Sequence, residues 1–154
     1  MFWKPLLTAF FVAALSAPAF AQAAHFDLHC TPLPIAHQKA DRDPVAQIHV
    51  QLDVQDDHFD ISVMHETVSG RKFWRADQYR DIGLRHVGPV ERARQDGVMS
   101  DQWAWYGTSI KNSNVVMVGK ITQIDDVFAY WERVINIHTK AEELIVNAQC
   151  TAAG

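Results

Sequence analysis

The side chains of this chain that could do chemistry are eight histidines, a knot of aspartates near residue 56, two cysteines and five tryptophans. Neutral imidazole is the commonest metal ligand in proteins, so the histidines come first. His25 and His29 stand four residues apart. In an extended strand rising about 3.3 Å per residue their Cα atoms lie roughly 13 Å apart, too far to share one ion. His58 and His65 fall on opposite faces if one strand runs through both. His49 lies on the polar face of its run and meets a neighbour only across a hairpin. Cleavage after Ala24 would expose His25 as an amino-terminal copper ligand, with His138 to complete the site. Gln22, however, suits poorly the small-residue position that a signal peptidase reads. Solvated surface histidines are therefore the expectation, with no metal and no other cofactor.

Nucleophilic catalysis finds no support in the pattern. There is no Gly-x-Ser-x-Gly elbow and no His-Glu-x-x-His helix. Asp53, Asp56, Asp57 and Asp60 have the spacing of a solvated turn, looser than a calcium loop. The tryptophans are the better lead. Trp103 and Trp105 alternate on one strand face that Gly107 continues, and Trp74 and Trp131 can join from neighbouring strands. Gly107 and Gly119 leave room where a side chain would otherwise sit. Indoles with one N–H donor suit a small apolar or amphipathic ligand; the plainer reading of the same residues is a packed core.

The elements that must position these residues are strands. In residues 46–54 every even position is apolar and every odd one polar, which predicts Ile48, Val50, Leu52 and Val54 inside and His49, Gln51 and Asp53 outside. Asp56 and Asp57 turn the chain, and residues 58–63 repeat the alternation. Residues 25–30 place Phe26, Leu28 and Cys30 on one face. Prolines 32, 34 and 44 make residues 31–44 a surface loop. Ser69 and Gly70 turn into two weaker strands, 71–75 and 79–87, closed by Gly88 and Pro89. The charged segment 90–100 reads as a loop with one helical turn. Four strong β runs follow, at 101–109, 114–122, 127–138 and 144–150, rich in β-branched and aromatic residues. Residues 127–138 are apolar on both faces, with Phe128, Tyr130 and Val134 pointing one way and Val127, Trp131, Ile135 and Ile137 the other. The sum is an all-β antiparallel meander of eight to nine strands, forming a small barrel or a two-layer sandwich. Closure of the first strand on the last favours the barrel, because it removes exposed edges.

Compartment is read from the ends. Lys4, the apolar residues 6–15 and the small residues Ala19, Ala21 and Ala23 make residues 1–23 a signal peptide, too short in its apolar part for a span of about 20 residues. No stable membrane anchor is expected. Residues 24–154 then form a single exported β domain, periplasmic or secreted. In such a compartment Cys30 and Cys150 read as one disulfide joining the two ends of the domain. A formal charge of −4 and the lack of a basic run exclude nucleic acid as a partner.

The phrases Phe26-Asp-Leu-His-Cys30, Trp105-Tyr-Gly-Thr-Ser109, Val115-Val-Met-Val-Gly119, Tyr130-Trp-Glu-Arg133 and Ala148-Gln-Cys150 together resemble small exported bacterial β-proteins of unknown function. With lipocalins the chain shares only the suggested architecture, since their early Gly-x-Trp is missing. The functional expectation is a non-enzymatic envelope protein that binds a small apolar or amphipathic molecule. The alternative is an envelope interaction protein or inhibitor that works through the loop 31–44 or 90–100.

Overall fold

Nine strands follow the alternations read from the sequence. They are β1 (Ala24–Pro32), β2 (Val45–Val54), β3 (Phe59–Thr67), β4 (Lys72–Trp74), β5 (Tyr79–Val87), β6 (Asp101–Ser109), β7 (Val115–Ile124), β8 (Val127–Asn136) and β9 (Glu142–Ala152). The computed structural model describes residues 23–34, 42–55, 58–87 and 100–154. Residues 1–22 of the expected signal peptide, the turn expected at Asp56 and Asp57, the Gly88-Pro89 stop, most of the 90–100 segment and the middle of the proline-rich loop lie outside the described residues.

All nine strands join one curled antiparallel sheet, a half-barrel, in the order β4-β3-β2-β1-β9-β8-β7-β6-β5. The two-layer sandwich is thereby set aside. The strands form a ring of hairpins opened at one seam, between β4 and β5. Nine strands alternating in direction would leave β1 and β9 parallel, yet they pair antiparallel. The parity is restored because β4 and β5 run the same way. Between them Arg75–Asp77 forms a single 3-10 turn, at which the chain leaves β3 and takes β6 as its partner. Across the seam Phe59 and His86 meet edge to face with ring centroids 6.3 Å apart.

Register follows the expectation in β2. Ile48, Val50 and Leu52 are fully buried, Val54 packs partly buried against the core, and Gln51 and Asp53 are exposed. Leu28 and Cys30 of β1 point the same way, and Cys30 pairs directly with Cys150 of β9 and is disulfide-bonded to it. The bond closes a sequence separation of 120 residues, for which the loop-entropy relation gives a stabilisation on the order of 4–5 kcal/mol. The end of β1 differs from expectation. Pro32 is not in the loop but ends β1 opposite Ala148, at a strand end where its missing N–H costs least.

The middle of the half-barrel is filled. Trp103, Met117, Ile121, Tyr130 and Val146 are among its buried side chains, and a Cβ at Gly119 would collide with the indole ring of Trp105. The space that Gly119 leaves is therefore taken by the protein's own side chain. Asp81, with φ of 53°, sits in a β-bulge that sets two residues of β5 against Gly107.

Three substitutions test this register in a thermal melt. Val50→Asp buries an unpaired carboxylate and should abolish cooperative folding. Gln51→Lys on the outer face should stay within about 0.5 kcal/mol of the parent. Gly119→Ala should cost on the order of 1–3 kcal/mol, because the Trp105 ring has no free volume to retreat into. Equal tolerance of the first two would refute the assigned faces.

Candidate functional site

Polar side chains are buried at one point of this apolar interior. Glu132 of β8 lies on the inward face between Tyr130 and Val134, and it is wholly buried. The strand alternation leaves it no other direction. Opposite it, the break between β4 and β5 turns Arg75 inward. The Arg75 Nε donates to Glu132 Oε2 at 3.1 Å and a terminal nitrogen donates to Oε1. Its other terminal nitrogen donates to Gln78 Oε1 at 2.7 Å. The Tyr130 hydroxyl donates to Glu132 Oε2.

His65 of β3 completes the cluster, fully buried against Phe73 and Tyr130. Its Nδ1 is 3.5 Å from an Arg75 nitrogen, which can only donate, so Nδ1 is the acceptor and Nε2 carries the proton. That Nε2–H reaches the Tyr130 oxygen at 3.2 Å and lies 3.4 Å from Glu132 Oε2. The closeness to Glu132 does not make His65 a cation. Burial, with Arg75 nearby, outweighs the pull of Glu132 and holds its pKa below the ordinary 6.5. For Glu132 the balance is opposite. Burial alone would raise its pKa, but Arg75 and the hydrogen bonds from His65 and Tyr130 hold it below the usual carboxylate range. Burial pushes the Tyr130 hydroxyl well above its ordinary value. The result is one buried ion pair whose carboxylate is met by Arg75 and Tyr130, with His65 beside them and Gln78 taking the remaining Arg75 nitrogen. Its groups are spent on each other, which makes the cluster a fixed support.

Above it the half-barrel opens. A cavity of about 780 Å³ lies at the end formed by the starts of β2, β7 and β9 and by the turn joining β6 to β7. Its floor is apolar, from Val45, Phe73, Val115, Val134 and Leu144, and Arg75 and Tyr79 come up through it from the cluster. The rim is charged with both signs. Arg42 and Glu143 pair at 2.6 Å, and hydrogen bonds from Ser69 and Thr67 hold Asp43 below its ordinary pKa. Arg71, Asp77 and Lys111 complete the rim, and none of the three is in an ion pair with another described residue at that end.

The four tryptophans do not converge. Trp103 and Trp105 are buried on the inner face, where Trp103 stacks on His86 and Trp105 lies 5.7 Å from Tyr130. Their indole N–H groups find no acceptor among the described residues. Trp74 and Trp131 are on the outer face, Trp131 beneath the Lys120 ammonium. None of the four lines the cavity. The expectation that the histidines are solvated fails at His65, because residues 59–67 form one strand whose inward positions include it. Asp53 and Asp60 do face solvent, paired across the first hairpin. Comparison with known protein families, characterised proteins and solved structures finds no match to this chain, so the site rests on its own geometry.

The cluster makes stability depend on acid in two windows. His65 is neutral when folded but takes up a proton when unfolded, so stability falls as pH drops through about 6.5. Glu132 has a depressed folded pKa, so its contribution is present above about 4.5 and is lost as pH falls below that value. Melting temperatures from pH 8 to 3 should show both losses, and His65→Gln should flatten the first. Glu132→Gln should cost on the order of 3–5 kcal/mol by stranding Arg75, whereas Arg75→Met with Glu132→Leu should recover most of that.

Proposed function

We propose that this chain is a binding module for a small amphipathic molecule, held with its apolar part in the open end of the half-barrel. The observation that carries the reading is the cavity itself. Its volume falls in the range of small-molecule sites, and it combines an apolar floor with a densely charged and polar rim. The buried ion pair fixes Arg75 in that floor, 5.7 Å from the Tyr79 ring centroid, so this part of the space is shaped before a ligand arrives. The rim offers cations at Arg71 and Lys111 and anions at Asp43 and Asp77, which favours a head group carrying both signs over a singly charged one. The work of the protein is then to hold and carry such a molecule. The disulfide is consistent with an oxidising compartment outside the cytoplasm, and the periplasm or the cell exterior is the setting we assign to it.

Calorimetric titration with dodecylphosphocholine below its micelle concentration tests the reading. One saturable site per chain is expected. Arg71→Ala with Lys111→Ala should weaken it at least about tenfold, since two charge-assisted contacts are lost, with the melting temperature unchanged. Trp105→Phe should leave it intact. A flat titration with folded protein would discard the reading, and loss of binding in Trp105→Phe would move the site to the interior tryptophans.

A further inference from the structure

Two of the histidines on the outer surface of the sheet are neighbours. His29 of β1 and His49 of β2 are direct partners across the hairpin, both on the outward face, with ring centroids 4.6 Å apart and planes at 81°. That is the geometry of an ordinary edge-to-face contact, and it also permits a shared ion. With a metal–nitrogen bond of about 2.0 Å each ring centroid lies roughly 3.2 Å from the ion, so two rings bound side by side at one metal have centroids roughly 4.5–5.5 Å apart. The observed pair falls in that interval without any movement of the backbone. Both rings stand on interior strands of a nine-stranded sheet, which fixes their spacing in advance.

The chemistry of the third donor decides the metal. Among the described residues no group of three His, Cys, Asp or Glu side chains is placed to hold an ion. The register supplies a different donor, because the partner of His49 on its other side is Met64 of β3, also on the outward face. Adjacent strands are about 4.8 Å apart, so the flexible Met64 thioether has to lean over β2 to reach an ion held between the two rings. Two imidazoles with a thioether make a soft set, which selects copper(I) over zinc, calcium or magnesium. We propose that His29, His49 and Met64 form a copper(I) site on the outer face of the sheet, remote from the cavity. Trp74 follows Met64 in the same row and shields that side.

The test uses the full chain without a histidine tag, titrated anaerobically with copper(I) against bicinchoninate. One copper(I) per chain should be withheld from the competitor. His29→Asn and His49→Asn should each weaken that binding at least tenfold, and Met64→Leu should weaken copper(I) at least tenfold while leaving zinc(II) binding unchanged. Because all three side chains face outward, melting temperatures should stay near the parent value; His49→Gln replaces any variant that does not fold. Parent-like copper(I) affinity in either histidine variant overturns the site. Parent-like affinity in Met64→Leu, or a loss seen instead in His25→Asn or His138→Asn, overturns the donor set.

Discussion

A carboxylate buried in an apolar interior must be met by a positive charge, and the arrangement of this half-barrel depends on how Glu132 is met by Arg75. The inward position of Glu132 follows from the alternation of β8, which leaves the side chain no route to water. Arg75 reaches it only because the chain breaks between β4 and β5. At that same break the chain exchanges one sheet edge for the other, and so allows the first and last strands to pair antiparallel. One ion pair thus links the electrostatics of the interior to the parity of the sheet. Such pairs gain little over apolar packing, but leaving one member alone is expensive. Their use here is positional: the cluster sets where the packed interior stops and the cavity begins.

The two ends of the half-barrel are consequently different materials. Toward the Cys30–Cys150 bond and Phe128 the interior is aromatic and aliphatic and contains no free space at Gly119. Toward Val134 and Leu144 the same inward-facing rows give way to the cavity floor. The buried Trp103 and Trp105 belong to the packed interior and the charged rim to the open end. Large rings fill a sheet interior, whereas a binding space forms where they run out.

The fold was largely legible in the sequence because period-2 alternation is a local property. Residues 46–54 and 101–109 announce both their strands and their buried faces, and the ends of the domain announce the disulfide. The candidate site was legible only in part. Glu132 stands between Tyr130 and Val134 in a row read as apolar, and a charged residue in that register is the signal of a buried partner. Its partner could not be read, since Arg75 lies 57 residues away in a 3-10 turn after a short strand, where the sequence looks like any polar turn. His65 was misplaced because the strand was read as ending at Val63, four residues before its end at Thr67. The tryptophans drew attention by size, but residue type does not reveal that Trp105 would occupy the gap beside Gly119. The cavity is a product of several strand starts meeting, which no single stretch encodes.

The disulfide has a topological consequence. β1 and β9 are the one neighbouring pair not joined by a hairpin, and they hold together the four strands before the break and the five after it. With Cys30 bonded to Cys150 across that pair, the backbone from one cysteine to the other becomes a covalent ring that contains every connection between strands. A protease that cuts one of those connections opens the ring but releases no fragment. The nicked chain remains a single molecule, and its halves separate only after reduction.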